Sequence, residues 1–299
     1  MKSLTLKQLR YFDALARHRH FGRAAAASAI SQPALSMQIR ELEDSLGAPL
    51  FDRAARSVRL TGLGEEIAER VRGILLAVEE LGDLAHDPVD GRLRRLRLGV
   101  IPTIAPYLLP KLVGELTAGD RVGDLRVRET QTATLVEDVG EGRLDAAIVA
   151  LPLSEPAMHE EPLYSEDFVL VRPAGQAGQP IPDPDALQHM RLLLLEEGHC
   201  FRDQALSFCN LRTSLPRDFL EGSTLSTLVQ MVGAGLGVTL IPDMARQLET
   251  RAAEVDIVRF PAPAPQRTIG MVWRRSSPLD AQLREVAQIV RAQAETAPS

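Results

Sequence analysis

Along the first sixty residues, apolar positions recur at three- and four-residue steps, the spacing of helices that bury one face. This spacing predicts a first helix from about Thr5 to His18, and the alanine-rich stretch after it predicts a short second helix over Phe21–Ala27. Ser31 is a candidate N-cap for a third helix, which Gly47 would end. A short turn between the second and third helices is typical of a helix-turn-helix.

The segment after the third helix predicts a small β wing and then a long amphipathic helix. The wing would run from Leu50 to Leu60, and the helix from Thr61 to about Ala85. One stripe of this helix is apolar: Ile67, Val71, Ile74, Leu75, Val78 and Leu81. A long amphipathic helix between two domains is often a dimer seam, and we prefer this interpretation to packing on its own domain. The linker is expected over His86 to Arg95.

From Leu96 onward, short apolar runs alternate with helical stretches, which predicts an α/β fold with a largely parallel sheet. The predicted strands are Leu96–Ile101, Leu125–Glu129, Leu144–Ala150, Phe168–Arg172, Leu192–Leu195, Val238–Ile241 and Thr268–Trp273. The predicted helices are Ala105–Leu116, Leu135–Gly140, Leu225–Ala234 and Leu279–Ala292. The length of this part suits two linked lobes, and ligands in such folds bind where strands end.

Composition is that of an ordinary globular protein, because 45% of the 299 residues are hydrophobic and 25% are charged. No apolar run approaches the roughly 20 residues of a membrane span, and Met1–Thr5 lacks an export signal, so we expect a soluble, cytoplasmic protein. The net charge of −6 argues against nucleic acid as a partner, but its distribution reverses that conclusion. Ten basic and five acidic residues precede Leu63, which leaves +5 there and −11 on the remainder. A basic first fifth indicates a DNA-binding module.

The third predicted helix carries polar side chains at four-residue steps on the face opposite its leucines. Gln32, Ser36 and Arg40 form this face, and these residue types hydrogen-bond base edges and phosphates, whereas leucine does not. The alternative, an ordinary helical subdomain with solvated charges, fits this arrangement less well. The residues expected to contact DNA are Ser31, Gln32, Pro33, Ser36, Arg40, Arg53 and Arg56.

The chain has two cysteines, Cys200 and Cys209, and the residues between them predict about two turns of helix. At about 1.5 Å of rise per residue their Cα atoms would lie about 13 Å apart, whereas a disulfide needs roughly 4.4–6.8 Å. Joining them would unwind the segment, which is how an oxidation becomes a conformational switch. The helix start, the adjacent His199 and the nearby Arg202 would each favour a reactive thiolate at Cys200.

The residues alone support this switch and a pair of inert, buried cysteines about equally, because free cysteines are often small buried hydrophobes. A zinc site built from His199, Cys200 and Cys209 lacks a fourth ligand and a short Cys-x2-Cys spacing, so no metal is expected. Thr103 and Thr132 follow strands, where a threonine before a helix is ordinarily an N-cap.

The N-terminal segment resembles the winged helix-turn-helix of LysR-type transcriptional regulators. The resemblance rests on Leu9-Arg10-Tyr11-Phe12, Phe21-Gly22-Arg23-Ala24-Ala25, Ser31-Gln32-Pro33-Ala34-Leu35-Ser36, Leu42-Glu43 and Leu50-Phe51-Asp52-Arg53. It implies an all-α winged helix-turn-helix, a linker helix that dimerises, and an α/β, two-lobed, periplasmic-binding-protein-like effector domain. The expected limits are 1–62, 63–92 and 93–299, with lobe I over 93–163 and 268–299 and lobe II over 164–267.

The second half is similar to the peroxide-sensing OxyR branch of that family. The matching motifs are Gly99-Val100-Ile101-Pro102-Thr103, Glu129-Thr130-Gln131-Thr132, Gly198-His199-Cys200-Phe201-Arg202-Asp203-Gln204-Ala205, Phe208-Cys209 and Arg267-Thr268-Ile269-Gly270. The resemblance implies that Cys200 reacts with hydrogen peroxide and that Cys209 is its disulfide partner. The residues implied to bind peroxide or support the site are Thr103, Thr132, His199 and Arg267; from its position alone, Arg267 would be a surface ion pair. Phe201, beside the thiol, and Asn210-Leu211-Arg212-Thr213 depart from that branch.

The implied function is a DNA-binding transcriptional regulator of oxidative-stress genes, which is not an enzyme and has no cofactor. Its expected partners are double-stranded promoter DNA, hydrogen peroxide, further copies of the chain in a homodimer or homotetramer, and RNA polymerase. A LysR-type regulator that senses a small metabolite would share every feature except dependence on Cys200 and Cys209. A thiol peroxidase would explain the cysteines but not the basic N-terminal segment.

Overall fold

The chain divides into two compact units, Met1–Asp87 and Pro88–Ser299. The computed structural model describes residues 4–52, 58–84, 93–118, 121–176, 178–209 and 220–295. Within these ranges, no helix is long and apolar enough to cross a bilayer.

The N-terminal unit is a winged helix-turn-helix, as the pattern predicts. Its elements are α1 (Leu6–His18), α2 (Phe21–Ala27), α3 (Gln32–Leu46), β1 (Phe51–Asp52), β2 (Arg59–Leu60) and α4 (Gly62–Leu84). Ser31 caps α3 by accepting a hydrogen bond from the Ala34 N–H at 3.3 Å. Gly47 ends α3 at a φ of 76°, a conformation that favours glycine. The wing is the antiparallel pair β1–β2, and Arg53 and Arg56, two of the expected DNA contacts, lie outside the described residues.

The apolar stripe of α4 divides into two parts. Ala68 and Val71 are buried in the core of the helix-turn-helix, and Ile67 and Leu75 pack against that core. This part packs on its own domain, which corrects the interpretation of the whole stripe as a dimer seam. Two other side chains of the stripe are exposed to solvent, Ile74 at 46% and Leu81 at 64%.

The C-terminal unit is α/β. Its strands are β3 (Leu93–Val100), β4 (Val122–Glu129), β5 (Ala146–Leu151), β6 (Met158–Pro173), β7 (Leu193–Leu195), β8 (Leu220–Gly222), β9 (Thr239–Pro242), β10 (Val255–Arg259) and β11 (Gln266–Arg274). Its helices are α5 (Ala105–Thr117), α6 (Thr132–Gly140), α7 (Pro184–Gln188), α8 (Cys200–Phe208), α9 (Leu225–Gly233), α10 (Arg246–Glu249) and α11 (Asp280–Glu295). The sequence pattern missed β8, β10, the first half of β6, and the short helices α7 and α10.

The larger sheet is mixed, which corrects the prediction of a largely parallel one. In its strand order, β10-β6-β11-β5-β3-β4, only β3 runs parallel to its neighbours β4 and β5. The pairings of β6 with β9, β10 and β11, and of β11 with β5, are antiparallel. The prediction failed because a buried apolar run shows that a strand is covered on both faces but not which way it runs.

Two hydrophobic cores define two lobes in this unit. The first core contains β3, β5, the apolar residues of β11 and buried faces of α5, α6 and α11. The second core contains β7, β9, the faces of α8 and α9, and Phe168–Val171 of β6. β6 contributes to both cores, since its first half pairs with β11 and its second half with β9 and β10. The two lobes are therefore joined through β6 and β11.

Candidate functional site

Cys200 is the first residue of α8 and lies between the two lobes. Its backbone belongs to a helix of the second core, whereas its half-buried side chain packs against the first core. The N-cap residue of α8, His199, makes no side-chain capping bond, so this helix start carries no capping oxygen. The unsatisfied N–H groups at a helix start favour a negatively charged group nearby.

Four of the predicted site residues surround one narrow pocket. Its lining consists of Ile101, Pro102, Thr103, Gln131, Thr132, Gly198, His199 and Cys200. A larger cleft of about 1310 Å³ opens beside it, and Thr132 and Cys200 line both cavities. Arg267, the fifth predicted residue, lines the larger cleft and reaches Thr103 by hydrogen bonds.

Thr103 is buried, with 3% exposure, and does not cap α5. Ile104 occupies the N-cap position, and Thr103 instead accepts a hydrogen bond at its Oγ1 from Arg267 Nη1 at 2.8 Å. The capping interpretation of Thr103 is therefore wrong. Because Arg267 occupies an acceptor site of the hydroxyl oxygen, the hydroxyl hydrogen is available for a second partner.

Thr132 is the first residue of α6, and Gln131 precedes it as the N-cap without a side-chain capping bond. The buried Thr132 Oγ1 makes no hydrogen bond to any residue that the structure describes. The capping interpretation is wrong here too. A buried hydroxyl without a partner is costly unless a ligand or water satisfies it, and this one lines the pocket that holds the thiol.

Arg267 is a buried residue rather than part of a surface ion pair. Its side chain is fully buried, and its Nε donates to Glu166 Oε1 at 2.7 Å. The two residues are direct cross-strand partners of β11 and β6. Burial raises the pKa of Glu166, and the neighbouring guanidinium opposes this rise. A second pair of bonds, to the hydroxyl and carbonyl oxygens of Thr103, ties Arg267 to the pocket.

His199 and Arg202 lie beside Cys200 but contribute differently from the expectation. Burial lowers the pKa of His199, which favours the neutral ring over the cation that the expectation assumed. The buried Arg202 donates to the Leu195 carbonyl oxygen at 2.8 Å and pairs with Glu221. This guanidinium ties α8 to β7 and β8.

Cys209 follows α8 at its C-terminal end and has no solvent exposure. It belongs to the second core, and burial raises the pKa of its thiol to about 11. Both thiols are free. The two cysteines therefore contact different lobes, at opposite ends of one helix.

Gln131 and Glu166 are site residues that the sequence reasoning did not assign. Gln131 Nε2 donates to the Glu197 carbonyl oxygen at 3.3 Å, which joins α6 to the loop before α8. Gly198 permits this contact, because its φ is +93° and a Cβ there would lie 2.4 Å from Gln131 Oε1. Gln131 lay inside a recognised motif, but Glu166 had no signal without the strand register. Among the described residues, no three His, Cys, Asp or Glu side chains cluster as metal ligands.

The predicted DNA-contacting residues that the structure describes lie on and before α3. Gln32, Pro33 and Arg40 are exposed and Ser36 is half-buried, whereas Leu35 and Ile39 on the opposite face are buried. In a helix-turn-helix, the second helix of the motif, here α3, lies in the major groove of DNA, where its exposed polar groups contact the base edges.

Two family models cover most of the chain. Residues 6–65 match the bacterial regulatory helix-turn-helix protein of the lysR family, and residues 90–295 match the LysR substrate binding domain. A probable hydrogen peroxide-inducible genes activator from Streptomyces viridosporus is 44% identical over 96% of this chain and 93% of its own length. The DNA-binding transcriptional dual regulator OxyR of Escherichia coli K12 is 37% identical over 97% and 95%.

Solved structures of similar proteins have the same architecture. A cysteine-to-aspartate variant of full-length OxyR from Pseudomonas aeruginosa superposes with a TM-score of 0.77, at 35% identity over 97% of this chain and 96% of that one. A peroxide-bound cysteine-to-serine variant of Corynebacterium glutamicum OxyR superposes with a TM-score of 0.66, at 35% identity over 98% and 93%.

Proposed function

Because this chain belongs to the LysR family of bacterial helix-turn-helix regulators, we propose that it is a cytoplasmic transcriptional regulator that senses hydrogen peroxide through Cys200 and Cys209. The proposal rests on the surroundings of Cys200. It lies in a pocket with two threonine hydroxyls, one of which has no partner among the described residues, and the other end of its helix holds a buried second thiol. The family is one of regulators and not of enzymes.

In the first step, the Cys200 thiolate attacks one oxygen of peroxide. A sulfur–oxygen bond forms, the oxygen–oxygen bond breaks, and the second oxygen leaves as hydroxide, which takes a proton to become water. The thiol is oxidised to a sulfenic acid while peroxide is reduced. The hydroxyls of Thr103 and Thr132 and the neutral ring of His199 are the groups that would hold the two peroxide oxygens, with Arg267 fixing Thr103.

In the second step, the Cys209 sulfur attacks the sulfenic sulfur, a disulfide forms, and water leaves. Because nine steps of helical rise place the Cα atoms of Cys200 and Cys209 about 13 Å apart, this step requires α8 to unwind. Cys209 must also leave the second core. Remodelling of 200–209 would change how effector domains pack in a homodimer or homotetramer, and so reposition the paired DNA-binding domains.

We assign double-stranded promoter DNA to the N-terminal unit, with Gln32 and Ser36 reading bases and Arg40 contacting phosphate. Arg53 and Arg56 would add phosphate contacts from the wing, and RNA polymerase would bind the regulator on the promoter. The proposed domain limits are residues 1–62, 63–92 and 93–299, with lobe II over 164–267.

A second candidate, a LysR-type sensor of a small metabolite, draws support from the cleft of about 1310 Å³ beside Cys200. Such a sensor would respond to its inducer whatever the state of the thiols. A thiol peroxidase is the weaker candidate, because a DNA-binding domain has no role in it.

Intact-mass measurement after one equivalent of peroxide tests the proposal. The wild type should lose two hydrogens per chain and give one peptide that links Cys200 to Cys209. A Cys209→Ser variant should instead gain oxygens on Cys200, since no second thiol intercepts the sulfenic acid. Oxidation that spares Cys200, or a Cys200→Ser variant that consumes peroxide like the wild type, would refute the assignment.

A further inference from the structure

The aromatic ring next to the thiol belongs to the second core and contacts two other side chains. Phe201 follows Cys200 directly and is 2% exposed. Its ring meets the Phe168 ring edge-on, with centroids 4.9 Å apart. The Arg267 guanidinium carbon lies 5.4 Å from the centroid of the Phe201 ring. An aromatic face is electronegative and attracts a cation, most strongly where water is excluded.

The same guanidinium is held on its edge by oxygen atoms. Nε donates to Glu166 at 2.7 Å, Nη1 to the Thr103 hydroxyl oxygen at 2.8 Å and Nη2 to the Thr103 carbonyl oxygen at 3.1 Å. These bonds lie along the plane of the guanidinium, and the Phe201 ring contributes a contact outside them. Thr103 and Cys200 line the same narrow pocket. A chain of direct contacts therefore leads from Phe201 through Arg267 and Thr103 back to the thiol's pocket.

We propose that Phe201 is a positioning residue for the oxidation of Cys200: its ring fixes the Arg267 guanidinium, which turns the Thr103 hydroxyl hydrogen toward the bound peroxide. This inference rests on the proposed function. Arg267 donates a hydrogen bond to the Thr103 hydroxyl oxygen, so the hydroxyl hydrogen points away from Arg267. A peroxide oxygen bound in the pocket would accept that hydrogen.

The position of Phe201 has a second consequence. Because it is bonded to Cys200 through one peptide unit, unwinding of α8 removes its ring from Arg267. Disulfide formation then takes apart the support of the pocket that promoted it. The proposed support of the pocket would then exist in the reduced chain and be lost in the disulfide form.

The test uses the full chain in a Cys209→Ser background, so that Cys200 alone reports. Phe201→Leu removes the ring, and a ring-fluorinated phenylalanine at position 201 keeps its shape while weakening the negative face. Phe208→Leu is the matched control, because this ring lies at the other end of α8 and contacts Phe260 at 5.2 Å instead of Arg267. Stopped-flow oxidation by hydrogen peroxide is measured beside alkylation by iodoacetamide, which needs the thiolate but no peroxide pocket.

Both Phe201 variants should lower the peroxide rate constant by about tenfold and leave the alkylation rate within about twofold of the parent, whereas Phe208→Leu should change neither. Unchanged peroxide rates in the fluorinated variant, or equal losses in both reactions, would overturn the inference. The fluorinated variant decides the matter if Phe201→Leu fails to fold. A parent thiol that reacts with peroxide no faster than a free cysteine would refute the proposed function itself.

Discussion

Cys200 and Cys209 differ in their surroundings as much as in their positions. Cys200 begins a helix and faces a pocket with polar groups, whereas Cys209 is surrounded by apolar side chains of the second core. A helix start favours a thiolate and an apolar core favours a thiol. Under the proposed function, Cys200 is the residue that reacts with the oxidant, and burial keeps Cys209 away from solvent until Cys200 has been oxidised.

The titration of Cys209 should make stability depend on pH in alkaline solution. Burial raises the pKa of this thiol from 9.0 to about 11, so between these values the folded chain keeps a proton that the unfolded chain has lost. The buried, protonated thiol therefore contributes to the free energy of unfolding below about pH 9. This contribution is lost as the pH rises toward 11, which lowers the free energy of unfolding by an amount on the order of 2 kcal/mol. Urea unfolding of the reduced wild type and Cys209→Ala between pH 8 and 11 measures it. Parallel stability curves for the two proteins would contradict this prediction.

Replacing each threonine of the pocket by valine should distinguish its effect on stability from its effect on the rate of Cys200 oxidation. Thr132→Val removes a hydroxyl that has no described partner, so stability should hold or rise, while the rate of Cys200 oxidation should fall by about tenfold. Thr103→Val also breaks the bond from Arg267, so it should lose about 1–3 kcal/mol of stability as well as rate. Stopped-flow oxidation and urea unfolding give both quantities. Oxidation at the wild-type rate in both variants would remove the hydroxyls from the site.

At the scale of elements, α5 and α8 each send one side chain across the boundary between the lobes. Cys200 of α8 packs against the first core, and Tyr107 of α5 packs against the second. The Tyr107 hydroxyl donates to Glu249 of α10 at 2.5 Å, and Ser226 donates to the same carboxylate. Burial raises the pKa of Tyr107 far above its usual range, which keeps the hydroxyl a donor. These contacts connect helices of the two lobes.

Tyr107→Phe should destabilise the C-terminal unit by about 1–3 kcal/mol, because it leaves the buried Glu249 with one donor fewer. Tyr164→Phe is the control, since among the described residues that hydroxyl hydrogen-bonds to the Met244 sulfur alone, at 3.9 Å. Urea unfolding followed through Trp273, the single tryptophan, reports on this unit. A smaller loss in Tyr107→Phe than in Tyr164→Phe would contradict a contribution from this bond.

The elements differ in how far the sequence determines them. The helix spacing of the first sixty residues and the cap at Ser31 are local signals, and the structure confirms the helices that they predict. Strand direction and register are not local, and so the mixed sheet and the pairing of Glu166 with Arg267 lay beyond sequence reasoning. From the sequence alone, Thr103 and Thr132 are interpreted as N-caps for a similar reason. A threonine near a helix start gives the same sequence signal whether it caps the helix or lines a pocket.

At the scale of the whole molecule, the exposed apolar side chains of α4 are the described surface best suited to a second copy of the chain. Ile74 and Leu81 lie in the second half of α4, whose first half packs against the core of its own unit. Exposed apolar groups on a long helix commonly mark an association surface. The dimer-seam hypothesis therefore remains for this second half alone.

Polar substitution on α4 should weaken self-association. Leu81→Ser, alone or with Ile74→Ser, should shift the sedimentation coefficient toward that of a monomer at micromolar concentration. Leu248→Ser, which changes a leucine of 47% exposure on α10, should leave it unchanged. Equal behaviour of the α4 and α10 variants would remove this surface from the assembly.

Under the proposed function, oxidation of Cys200 changes the contacts with DNA, and a thiol count and a DNA footprint taken on one sample measure both events together. After one equivalent of peroxide, the wild type should lose both thiols per chain and change its footprint. Cys200→Ser should keep its remaining thiol and its reduced-state footprint. A footprint that stays constant while both wild-type thiols disappear, or one that still changes in Cys200→Ser, would contradict the account.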